Sequence, residues 1–187
     1  MEADGRIISK IPWCARLLAN PNITIAQTPS RIYKESTEDS LFAETLKTKD
    51  TISDCVTFHD KAKSDSDVIR QVNMIVTLEH KVNGFPHVAH GGFIAVLFDE
   101  VMGTLLLLNK QRVTSPPIGS ALTASMNVKY MAPLSTPQTV ILTSTIKIIE
   151  GRKIFLEATL KDSSGIVAAK AEALWIAVGA VDTKGKL

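Results

Sequence analysis

Two acids, Asp99 and Glu100, stand side by side in a run from Phe93 to Leu108 whose other residues are all apolar or small. A carboxylate in such surroundings loses hydration, which raises its pKa and makes it a better base or nucleophile. The same burial suits an ion pair holding a subunit interface, so Asp99 carries both readings. Successive helical residues project about 100° apart. Glu100 therefore cannot easily share a pocket with Asp99, and one of the two acids is structural; the spacing does not say which. Gly91-Gly92 lies two helical turns before Asp99, where loop gives way to helix. Backbone N–H groups at a helix start bind oxyanions or phosphates, and glycine lets a ligand come close. Alone, a Gly-Gly pair reads as a tight turn. With a carboxylate further along the same helix, it supplies the second part that ester or thioester hydrolysis needs, a polarising N–H beside a base. His90 and His87 flank the glycines as general bases or as loop anchors, and the anchor is the better reading of both.

The elements that position these residues follow from periodicity. An all-apolar helix of this length with two central charges is a buried core helix rather than a membrane span. Before it, alternation over Thr51–His59 and Val68–Glu79 predicts two strands, separated by a polar loop at Lys61–Asp67. After the break at Thr114–Pro117, four more strands are predicted: Ala121–Tyr130, Thr139–Glu150, Lys153–Lys161 and Ile166–Val178. In the first of these, Leu122, Ala124, Met126, Val128 and Tyr130 share one face. Pro12 opens a short helix that stops near Asn20-Pro21; the next dozen residues read as irregular, and Ser36–Asp39 has the form of a capping box for a helix over 37–48. The expected class is α+β, an antiparallel β-sheet wrapped around one long central helix with short N-terminal helices. Such a sheet has an open edge, which favours oligomers.

Composition narrows the function. Across 187 residues, 45% hydrophobic and 21% charged content fits one globular domain with room for a terminal addition. A net charge of +2 with scattered basic residues supports no nucleic-acid-binding face. Cys14 and Cys55 make neither a disulfide framework nor a metal-ligand spacing. No Gly-x-Ser-x-Gly elbow, Walker loop, dinucleotide fingerprint or His-Glu-x-x-His is present. Pro12 and Arg16 interrupt any signal-peptide core, so a cytoplasmic protein is expected.

The pattern His90-Gly91-Gly92-x-x-Ala95-x-Leu97-x-Asp99, followed by Thr123-x-x-Met126-Asn127-Val128-x-Tyr130-x-x-Pro133, resembles the hotdog-fold acyl-CoA thioesterases of the PaaI/THEM type. The resemblance covers roughly 51–178 and implies a hotdog domain over 51–187, preceded by an N-terminal helical extension over 1–50. It implies that Asp99 activates water or attacks the thioester, that the Gly91 N–H polarises the thioester carbonyl, and that Thr123 positions the water from a partner subunit. His90, Gly92, Asn83 and Glu100 would border the substrate. Some members carry an amide six residues before the histidine; Gly84 stands there, with Asn83 adjacent. The implied substrate is an acyl-CoA or acyl-carrier-protein thioester, the implied assembly a homodimer or homotetramer with shared sites, and no cofactor or metal is implied. The extension resembles those of fungal relatives, some associated with polyketide or fatty-acyl pathways. Two other readings remain: a hotdog hydratase, dehydratase or isomerase pairing His90 with Asp99 or Glu100, and a non-catalytic acyl-binding dimer.

Overall fold

Alternating sequence becomes sheet, and the apolar run becomes its filling. The computed structural model describes residues 4–64, 66–113, 116 and 118–178. In chain order these form helix α1 (Pro12–Leu18), strands β1 (Ile23–Ala26), β2 (Ile52–Asp60), β3 (Gln71–Leu78), β4 (Asn83–Phe85) and β5 (Val88–Ala89), helix α2 (Gly91–Leu108), and strands β6 (Ala121–Tyr130), β7 (Gln138–Glu150), β8 (Lys153–Lys161) and β9 (Val167–Ala177). Seven strands make one antiparallel sheet in the order β1-β2-β3-β7-β8-β9-β6, while β4 and β5 form a separate ribbon. This is the expected α+β hotdog arrangement, with α2 packed on β3, β6, β7 and β8. Most of the break expected at Thr114–Pro117, and the polar tail beyond Val178, lie outside the described residues.

Leu97, Phe98, Val101, Met102 and Leu105 of α2 are all at 0% exposure and fill the sheet's concave face. Together with strand residues such as Met74, Leu142 and Leu160 they make the main core. The helix is not buried all round, as its composition suggests. Gly92, Val96, Asp99, Gly103 and Leu107 recur every three to four residues and stay partly open. That stripe is built mainly from small residues, so the helix face that hydropathy hides is a groove.

Three local expectations fail for identifiable reasons. The stretch after Pro21 is not irregular: Ile23–Ala26 pairs with Phe58 and its neighbours and extends the sheet. The helix expected over 37–48 shrinks to a five-residue π-type turn, Leu41–Thr45. Asp39 sits at φ 61°, a left-handed conformation that cannot continue a capping box into a helix. In β6 the even alternation is broken by a bulge between Thr123 and Ser125, and on this edge strand Leu122 is 61% and Tyr130 51% exposed.

The N-terminal segment is fastened to the sheet by a carboxylate. Asp54, 2% exposed on β2, accepts from the backbone N–H groups of Gly5, Ile7 (2.7 Å) and Ile8 (2.8 Å). Ile8 and Cys14 then pack with Val56, Phe58 and Ile75 in a second apolar cluster. Asp54→Ala leaves those donors without an acceptor. The expected cost is on the order of 3 kcal/mol, read as a melting temperature lower by roughly 6–12 °C for a domain of this size.

Candidate active site

The bulge in β6 re-aims the side chain beside it. Thr123 Oγ1 donates to Asp99 Oδ1 at 2.6 Å, so strand and helix meet at the candidate base. At the other end of the same strand the Tyr130 hydroxyl donates to the Gly91 carbonyl at 2.8 Å. β6 thus runs along α2 and touches both residues singled out by sequence. The Thr123–Asp99 contact lies within one chain, which departs from the expectation that Thr123 reaches the site from a second copy.

The helix start is organised by His90. Its own N–H donates to the Val82 carbonyl, and its Nδ1 accepts from the Gly92 N–H at 2.9 Å. That accounts for His90 as the N-cap of α2 and commits the Gly92 N–H. The Gly91 N–H has no acceptor among the described residues, as expected of the first N–H of a helix. The imidazole explains Gly84 as well: a Cβ there would lie 2.7 Å from His90 Cδ2. A larger residue at 84 would displace the cap. Asn83, on the β4–β5 ribbon, accepts from the Thr136 hydroxyl through Oδ1. His87 stands at φ 58° with its ring against that of His80.

Asp99 is part-buried and borders a cavity of about 400 Å³, shared with Gly92, Val96, Met126 and two N-terminal residues, Leu41 and Phe42. Glu100 faces the same space and a second cavity of about 290 Å³ reaching toward Trp175. The Ser30 hydroxyl donates to Glu100 Oε1, and Thr104 donates to the same oxygen at 3.2 Å. Glu100 therefore ties the N-terminal segment to the central helix. Ser30, Leu41, Phe42 and Tyr130 are site neighbours that sequence reasoning did not pick out as such. Only Tyr130 lay within a recognised motif.

Burial pushes the Glu100 carboxyl above its ordinary value of 4.5, against the opposing hydrogen bonds from Ser30 and Thr104. A raised native pKa gives a stability contribution that is fully present below the unfolded value and lost as pH rises through the native one. Glu100→Gln keeps an acceptor oxygen for Ser30 and Thr104 and removes the titration. Denaturant melts from pH 4 to 8 should show wild type losing stability relative to Glu100→Gln as pH increases.

Among the described residues no group of three or more His, Cys, Asp or Glu side chains is placed to hold a metal ion. The arrangement offers instead a carboxylate with a hydroxyl on it, an uncommitted helix-start N–H, and an apolar cavity between them and the N-terminal segment.

Comparison with known proteins gives the same direction. The thioesterase superfamily matches residues 87–169, which include His90, Gly91, Asp99 and Thr123. Verlamelin biosynthesis protein B of Lecanicillium sp is 28% identical over 165 residues, covering 73% of this chain and 71% of that protein. Acyl-coenzyme A thioesterase THEM4 of Mus musculus is 32% identical over 80 residues, 43% of this chain; the match spans only 31% of that relative's length. Among solved structures, a thioesterase superfamily protein aligns at TM-score 0.51 and 26% identity over 66% of this chain and 53% of its own. A hypothetical thioesterase from Streptococcus pneumoniae TIGR4, solved with coenzyme A, aligns at TM-score 0.57 over 77% of this chain and 98% of its own; at 12% identity it speaks to the fold alone. Residues 87–169 are thus similar to the thioesterase superfamily, on a fold in which one antiparallel sheet wraps a central helix as in the hotdog arrangement.

Proposed function

We propose that this chain hydrolyses an acyl-CoA or acyl-carrier-protein thioester to the free carboxylic acid, with Asp99 as general base. The observation that carries the reading is the Thr123–Asp99 hydrogen bond at the mouth of an apolar cavity. Asp99 takes a proton from water, the oxygen attacks the thioester carbon, and the carbonyl oxygen gains negative charge. The Gly91 N–H stabilises that charge. Collapse of the intermediate breaks the C–S bond, and the thiolate leaves with the proton returned by Asp99. Thr123, donating to one carboxylate oxygen, fixes its direction and leaves the other for water.

Gly91 and Asp99 are on one helix and about 12 Å apart along its axis. The oxyanion donor must lie within about 3 Å of the carbonyl oxygen, and a base acting through one water within roughly 6 Å of the carbonyl carbon. The complete site therefore joins Asp99 and Thr123 of one chain with Gly91 of another. Leu122, Tyr130 and Met131, exposed on and just beyond the free edge strand that carries Thr123, support a homodimer formed there. Asn83 and Gly92 would border the substrate near the helix start. Glu100 fits a structural role better than a catalytic one, because the Ser30 and Thr104 hydroxyls hold it to the protein. His90, occupied as a helix cap, is poorly free for hydratase chemistry with Asp99.

The test is thiol release over a panel of acyl-CoA and acyl-carrier-protein thioesters, with product masses recorded. Free acid plus free thiol is expected. An intact thioester that gains or loses water, or no reaction with any substrate, overturns the reading.

A further inference from the structure

One wall of the cavity beside Asp99 lies outside the matched family segment of 87–169. It comes from the turn Leu41–Thr45. Leu41 is 53% exposed, while Phe42 is 2% exposed and belongs to the main core. The turn is held on both sides. The Asp39 carbonyl accepts from the N–H groups of Phe42 and Ala43, and the Ile52 N–H donates to the Leu46 carbonyl. Upstream, Ser30 is fixed to Glu100, and Lys47 Nζ donates to the Arg31 carbonyl at 2.7 Å. This wall is built in place, opposite the small-residue stripe of α2.

The chemistry of the cavity decides which end of a thioester enters. Away from the carboxylates its surface is Leu41, Phe42, Ala95, Val96 and Met126, all apolar. Its charged groups are Asp39, Asp99 and Glu100, with no cation among the lining residues. Asp39 is paired with Lys34, and burial disfavours the charged form of Glu100. The lining is thus apolar around one open carboxylate and suits an acyl group better than a phosphate-bearing CoA or phosphopantetheine arm. The volume of about 400 Å³ sits toward the small end of ligand cavities, roughly 300–1,000 Å³. A short or medium aliphatic chain, or one ring, suits it better than a long fatty chain.

We infer that Leu41 and Phe42 are the specificity wall of the acyl pocket: the acyl group lies along the Gly92–Val96–Asp99 stripe and ends against them, so the N-terminal segment measures the chain. This rests on the reading of Asp99 as the base at the pocket's mouth, and the experiment separates the two.

The probes are S-alkyl-CoA thioethers of increasing chain length, which cannot be hydrolysed, titrated calorimetrically into the full-length protein. Affinity should rise by about fourfold per methylene while the chain is being buried, then level off where it meets the wall. Leu41→Trp, at an exposed position that tolerates bulk, should move that plateau shorter by about two carbons. Phe42→Leu, milder than truncation to alanine in a core position, should move it longer. Circular dichroism verifies that both variants fold. A ladder that keeps the wild-type plateau in folded Leu41→Trp and Phe42→Leu overturns the wall. Shifted plateaus without thiol release from the matching thioesters uphold the wall and remove Asp99 as the hydrolytic base. Absence of binding at every chain length overturns both.

Discussion

Asp99→Asn should lower kcat for thiol release by about 10²–10⁴-fold, the usual contribution of a positioned general base. The substitution is isosteric and keeps an oxygen to accept from the Thr123 hydroxyl, which donates at 2.6 Å in the native chain. The contact between β6 and α2 therefore survives, and melting temperature and circular dichroism should stay at wild-type values. Only basicity is removed. KM should change little, because the proton transfer is made in the transition state rather than on binding. Retained turnover in folded Asp99→Asn would overturn the assignment of the base.

Gly91→Pro is the second large expected effect, a loss of about 10²–10³-fold in kcat from deletion of one oxyanion donor. The position makes this an unusually clean deletion of an N–H. Gly91 is the first residue of α2, where proline is well accepted. His90 before it already has φ −65° and ψ 134°, the extended conformation a following proline demands. Stability should hold or rise slightly. Gly91→Ala is the control: it retains the N–H, and its Cβ meets Tyr130 no closer than 3.5 Å, so it should remain active. Mixing the two dead variants tests the shared site. In a heterodimer, the proline chain supplies an intact Asp99 and the asparagine chain an intact Gly91, so one of the two sites is whole. Random exchange should restore about a quarter of wild-type activity. A mixture that stays inactive after verified subunit exchange argues that both groups serve one chain.

How much of this was readable in the residues themselves depends on the range of the interaction. The six long strands and α2 follow from local alternation and from one unbroken apolar run, and they form close to the expected boundaries. β1 escaped notice because four residues, Ile23–Ala26, are too few to show a period. The shortened turn at Leu41 turns on a single backbone angle at Asp39, which propensity does not encode. In the site, the His-Gly-Gly start and Asp99 are legible because they lie on one helix. That Thr123 meets Asp99 of its own chain depends on a contact across 24 residues, beside a bulge in β6. The Ser30–Glu100 contact joins residues 70 apart with no motif around Ser30. Long-range pairings of that kind leave no local trace.

The four-residue strand at the far side of the sheet has a consequence for assembly. The sheet ends in two unlike borders, β1 with four residues and β6 with ten. Had both been long, each border could serve as template for the opposite border of the next molecule, and the contacts would propagate as a fibre. A border of four residues offers too few donors and acceptors to match one of ten. In the proposed dimer the long border pairs with its own image, and such a pairing is complete after two chains. In that dimer, the same N-terminal strand that lengthens the sheet would also end its growth.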